Sequence, residues 1–119
     1  MDCLFCNIVE NKIPSKKIYE DELVVAFLDI KPNSPGHTVL IPKKHFVCLD
    51  DIDDNTLNYI MKISRKLKKR LEEKLNCDGI TIVQNNGDVQ EIKHYHIHLI
   101  PHYKTKKDQT IEEVYKLLK

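Results

Sequence analysis

The chain has no tryptophan, three glycines and five prolines in 119 residues, which leaves no room for a low-complexity linker and confines expected disorder to the ends. No apolar run approaches the ~20 residues a spanning helix needs, and the start Met1-Asp2-Cys3 lacks the basic and apolar regions of a signal peptide. The protein is therefore expected in the cytoplasm, without a membrane partner. An excess of one charge is missing as well: 19 basic against 18 acidic residues leave a formal net charge of +1, which gives no reason to expect nucleic acid. The expected partner is a small molecule. Four cysteines could in principle pair, but in a reducing compartment the pair Cys3-x-x-Cys6 reads as a metal site or a redox pair rather than a disulfide. Cys48 and Cys77 stand as isolated thiols. The length suits one hydrophobic core, hence one domain over residues 1–119.

What is present is periodic. Leu4, Phe5, Ile8 and Val9 follow a potential Asp2 cap at helical spacing and predict one or two turns between Asp2 and Asn11. Lys17 to Glu20 and Val24 to Leu28 are β-prone runs separated by Asp21 and Glu22, as in a hairpin. The turn-rich Lys31-Pro32-Asn33-Ser34-Pro35-Gly36 leads to a third strand, Thr38 to Pro42. From about Asn55 to Leu75, apolar positions recur every three or four residues and predict one long amphipathic helix. Its lysines are interleaved with glutamates, which reads as a solvated face. Ile80 to Gln84 predicts a strand, Asn85-Asn86-Gly87-Asp88 a turn, and His94 to Pro101 a last strand. Within the tail 103–119, Thr110-Ile111-Glu112-Glu113 resembles a capping box and predicts a short helix over Val114, Leu117 and Leu118. The sum is an α+β fold: a five-stranded antiparallel sheet with one long helix, a short N-terminal helix and a short C-terminal helix.

All six histidines fall in two segments, His37 and His45 near the third strand and His94, His96, His98 and His102 in or beside the last. In an extended His94-Tyr95-His96-Ile97-His98, alternate side chains share a face, so three imidazoles lie opposite Tyr95, Ile97 and Leu99. Successive rings then start roughly 7 Å apart and can converge on one ligand. The residues alone leave four uses open. One reading has the histidines fill polar niches, and another makes them a metal site completed by His37 or His45. They also suit nucleophilic attack on phosphorus, because imidazole is neutral and nucleophilic at about pH 7, or a nucleotide sensor without turnover.

The segment Gln90-Glu91-Ile92-Lys93-His94-Tyr95-His96-Ile97-His98-Leu99-Ile100-Pro101 resembles the signature of the histidine-triad nucleotide-binding family. Earlier blocks are similar to that family's in the same order: Leu4-Phe5-Cys6-Asn7-Ile8-Val9, Ile13-Pro14, Tyr19-Glu20-Asp21-Glu22, Ala26-Phe27-Leu28-Asp29-Ile30 and Gly36-His37 through Lys44-His45. The resemblance implies hydrolysis or transfer on a nucleoside phosphoramidate through a nucleotidyl-histidine, with a purine nucleotide such as AMP as ligand. Dinucleoside polyphosphate hydrolysis and a non-catalytic sensor or adaptor are the alternatives it allows. It implies that His96 is the nucleophile, that His98 assists phosphate binding and leaving-group protonation, and that His37 and His94 complete the polar network. Phe5, Ile8, Phe27 and Ile30 would enclose the base, Asp29 would hold the ribose hydroxyls, and Asn85 and Gln90 would contact ribose, phosphate or leaving group. Cys3, Cys6, His45 and His94 match the residues that hold zinc in the bacterial-type branch, a closed Cys2His2 set suited to a structural ion. A homodimer follows from family likeness alone.

Three positions depart from the family pattern. The loop Gly87-Asp88-Val89 is short, Glu91 stands where Ser or Thr is common, and His102 replaces the usual Arg. A carboxylate at position 91 repels phosphate if it turns inward, and so either faces out or favours a cationic leaving group.

Overall fold

A computed structural model of the chain describes residues 3–119; Asp2, the expected helix cap, lies outside them. The first helix, α1 (Leu4–Val9), is capped by Cys3, whose Sγ accepts from the backbone N–H of Cys6 at 3.4 Å. Six residues are too few for a helix to persist alone in water, so packing must hold it. Phe5 and Ile8 supply that packing, buried against the sheet.

The strands are β1 (Lys17–Glu20), β2 (Val24–Leu28), β3 (Thr38–Pro42), β4 (Gly79–Gln84) and β5 (Ile97–His102). They form one antiparallel sheet in the order β1-β2-β3-β5-β4, with α2 (Asp54–Leu75) inserted between β3 and β4 and α3 (Ile111–Leu118) at the end. This is the expected α+β architecture. Asp53 caps α2 by accepting from the Thr56 N–H, and Thr110 and Glu113 close the capping box of α3.

The sheet is covered on two sides, which explains why β2 and β3 read as continuous apolar runs rather than alternating ones. Val24, Ala26, Leu28, Leu40, Ile97 and Leu99 pack with Ile60, Leu67 and Leu71 of α2 and with Val114 and Leu118 of α3. Val25, Phe27, Val39 and Ile41 point the other way, toward Cys3, Phe5 and Ile8. The second side is the one that carries chemistry.

The last strand starts later than expected, at Ile97 rather than His94. Tyr95 donates its backbone N–H to the Phe46 carbonyl at 2.6 Å, so this stretch is tied to the loop after β3 instead of to a sheet neighbour. Side-chain alternation nevertheless continues through it, with Tyr95 buried beside Ile97 and Leu99 in the helix-side core. The expected turn at Asn85 to Asp88 is realised one step later, as a 3-10 turn over Gly87–Val89.

Two contacts lock the frame. Asp21 accepts from the hydroxyls of Tyr19 and Tyr59 and from the N–H groups of Leu23 and Val24, joining α2 to the β1-β2 turn. Burial alone would raise its pKa, but these donors outweigh burial and hold the carboxyl at about 2, below its ordinary 3.8. A depressed pKa adds stability that is complete above about pH 4 and is lost as pH falls from there through about 2. Asp21→Asn is expected to cost about 1–2 kcal/mol at neutral pH, and to flatten the acid limb of stability in urea titrations from pH 2 to 5. A limb as steep in the variant as in the parent would reject that account.

The second contact is at Gly36, whose φ is +91° and where an added Cβ would lie 2.3 Å from Leu75 Cδ1 and 3.2 Å from Pro101 Cγ. Gly36→Ala should therefore lower the urea midpoint by an amount equivalent to about 1–3 kcal/mol. Because His37 follows directly, the same strain should reach that side chain.

Candidate active site and metal centre

An open cleft of about 640 Å³ lies on the second side of the sheet, a size that suits a nucleotide. Phe5 and Ile8 of α1, Phe27 of β2 and Val39 of β3 give it an apolar floor, and the rings of Phe5 and Phe27 meet edge to face at 5.5 Å. His37, His96 and His98 line the same cleft together with Asp29, Ile30 and Asn85. Ile30 is 78% exposed at the rim, so it can cover a ligand but is not part of the core.

The three histidines have their tautomers set by their neighbours. The ring of His96 is buried, and its Nδ1 lies 2.8 Å from the carbonyl of His94. A carbonyl only accepts, so Nδ1 carries the proton and Nε2 keeps its lone pair. The backbone N–H of Asn33 donates to Nδ1 of His37 at 3.1 Å, which puts the His37 proton on Nε2. That nitrogen is 2.9 Å from Nδ1 of His98, so His37 donates to His98, and the His98 proton is left on Nε2. The rings of His96 and His98 stand 4.8 Å apart, and a carboxylate oxygen of Asp29 sits 3.6 Å behind His37 Nε2. Burial pushes the pKa of all three imidazoles down, while the Asp29 carboxylate pulls each part of the way back. The result is a buried imidazole whose Nε2 carries a lone pair, next to a hydrogen-bonded pair of histidines.

His94 takes a different place. It is fully buried and faces away from the cleft, into a cluster with Cys3, Cys6 and His45. Its Nδ1 is 3.5 Å from each sulfur and 3.2 Å from His45 Nδ1, and His45 Nδ1 is 3.3 Å from Cys6 Sγ. Four ligands around tetrahedral zinc are expected about 3.3–3.8 Å apart, from the usual Zn–S and Zn–N lengths. The donor set fits that ion. His94 Nε2 donates to the Pro42 carbonyl at 2.8 Å, which leaves the Nδ1 lone pair directed at the cluster, as second-shell contacts of zinc-bound histidines do. The alternating histidines therefore lie in two adjacent clusters, tied together by the hydrogen bond between His96 Nδ1–H and the His94 carbonyl.

Gln90 does not line the cleft. It is buried, and its amide donates to the Val47 carbonyl at 2.6 Å, which braces the loop after β3. Asn33 escaped sequence reading as a site residue, although its place in a turn four residues before His37 was a usable signal. Leu4, Ile13, Pro14 and Ile92 also line the cleft, and nothing in their sequence positions distinguished them from packing residues.

The protein is thus a small α+β domain in which three histidines line a cleft of a size that suits a nucleotide. Residues 10–105 match the HIT domain model, and the chain belongs to the histidine-triad family. It is 48% identical over 106 residues to an uncharacterized HIT-like protein of Methanocaldococcus jannaschii, covering 85% of this chain and 79% of that one. It is 44% identical over 101 residues to the adenosine 5'-monophosphoramidase of Saccharomyces cerevisiae, covering 83% of this chain and 61% of the yeast protein. The zinc-bound histidine triad family protein of Mycobacterium smegmatis superimposes with a TM-score of 0.91 at 35% identity, covering 99% of this chain and 91% of that chain. Family membership and relatives with phosphoramidase activity place the protein among nucleotide hydrolases in the broad sense. Among the described residues no helix is long and apolar enough to cross a membrane.

Proposed function

We propose that the protein is a nucleoside 5'-monophosphoramidase acting on AMP conjugates, with His96 as nucleophile. The observation that carries this reading is the His96 ring, locked through Nδ1 so that Nε2 is the free nitrogen, beside His98 in a cleft with an apolar floor. Phe5, Ile8 and Phe27 would hold the base, with Ile30 over it, and Asp29 and Asn85 would take the ribose. Attack by Nε2 forms a phosphorus–nitrogen bond to His96 and breaks the bond to the leaving amine. The leaving nitrogen takes its proton from the His37–His98 pair, which carries one extra proton in the substrate complex, balanced by Asp29 and the phosphoryl oxygens. Water then attacks the nucleotidyl-histidine, returns a proton to that pair and releases AMP.

Cys3, Cys6, His45 and His94 would hold zinc, whose chemistry here is structural because four protein donors leave no open position. On the same reading the protein would be a homodimer, as the family resemblance implies, and would work as one catalytic domain in the cytoplasm, where the sequence leads it to be expected. The test is release of amine from an adenosine phosphoramidate, with an alkaline quench and mass spectrometry to find AMP on the peptide containing His96. AMP binding with neither turnover nor adduct would favour a sensor, and comparable turnover on a diadenosine polyphosphate would move the substrate class.

A further inference from the structure

Glu91 lines the same cleft as His96 and His98 and is exposed there. It enters from the segment leading to His94, whereas the other acidic wall residue, Asp29, enters after β2. Asp29 is engaged: it accepts from the Lys31 N–H at 2.9 Å and stands 3.6 Å from His37. Glu91 has no hydrogen-bond or ion-pair partner among the described residues. The cation nearest to it in sequence, Lys93, is turned to the Gly87 carbonyl at 2.6 Å.

An unpaired carboxylate beside a phosphoryl site is unfavourable, because its charge reaches His96 and His98 and repels the anion they would bind. The repulsion turns into attraction when the substrate itself carries a positive charge next to the phosphorus. The base and ribose are neutral, so that charge has to sit on the leaving group.

We infer that Glu91 forms a cation-selective leaving-group subsite, so that the preferred substrates are AMP phosphoramidates whose leaving amine bears a second, positively charged amino group. This rests on the phosphoramidase reading above. The reaction balances as before: the phosphorus–nitrogen bond breaks, the leaving nitrogen takes a proton from the histidine pair, and the distal ammonium keeps its charge against Glu91.

The experiment compares three AMP phosphoramidates of matched length, made from ethylenediamine, propylamine and β-alanine, with wild type and Glu91→Gln. In wild type, kcat/KM for the cationic compound should exceed that for the neutral one by about fivefold, with the anionic compound lowest. In Glu91→Gln the cationic-to-neutral ratio should fall to about one, and raised salt should shrink the wild-type ratio in the same direction. An unchanged ratio in the variant overturns the inference and leaves the phosphoramidase reading standing. Absence of turnover on all three overturns that reading instead. The preference is then read by calorimetry with the 2-aminoethyl and propyl esters of AMP, where equal affinity ratios for wild type and variant overturn the inference as well.

Discussion

With alanine at position 96, turnover of an adenosine phosphoramidate is expected to fall by about ten-thousand-fold or more, while AMP still binds. The two effects separate because the residues that would hold the nucleotide have supports besides that ring. Phe5 and Phe27 touch each other directly, and His37 is positioned by Asn33 and His98 rather than by His96. Loss of the ring removes the edge contact to Phe5, at 5.0 Å between centroids, so some stability should go with it. Thermal unfolding of the variant controls for that loss. His98→Ala should be milder, about a hundredfold, because it removes proton transfer and a phosphate contact but leaves the attacking nitrogen. Kinetics on both variants, calorimetry with AMP and the search for a histidine adduct decide the matter together. A His96→Ala protein that keeps more than about a hundredth of the wild-type rate would show that another group attacks.

Much of this arrangement was legible in the residue order, and what was not has a physical cause. Alternation at His94, Tyr95, His96, Ile97 and His98 correctly separated an apolar side from a polar one, because it depends only on extended backbone. It could not show that His94 and His96 would open into different sites. That division is made by contacts spanning 49 to 91 residues, from His94 to His45, Cys6 and Cys3. The strand boundary slipped for a related reason: the Phe46 carbonyl captures the Tyr95 N–H, and no local pattern announces such a partner. The helix over Asp54–Leu75 was clear because its periodicity is strong and it has a cap at each end, Asp53 and the left-handed Asn76. Gln90 fits the family pattern by its place in the chain, yet its amide is spent on Val47. After the short Gly87–Val89 turn the chain delivers that side chain to a carbonyl rather than to the cleft.

Removing the two thiols is expected to have the largest effect on stability. Cys3→Ser with Cys6→Ser should abolish the one zinc ion per chain that the purified parent is expected to carry, and lower Tm by roughly 10 °C, the equivalent of about 3 kcal/mol for a domain of this size. The four donors come from α1 and its cap, from the loop after β3 and from the approach to β5, so an ion among them would tie α1 to two segments that already hydrogen-bond to each other. Helix α1 needs that support most, since it is six residues long and covers the sheet with Phe5 and Ile8. Those two side chains are also walls of the cleft, which predicts that AMP affinity falls along with Tm although no thiol lines the cleft. A strong chelator should reproduce both losses in the parent and change nothing in the double variant. If the parent purifies without zinc and the double variant melts at the same temperature, the cluster is a set of packed thiols and imidazoles, and the hold on α1 must come from its apolar face alone.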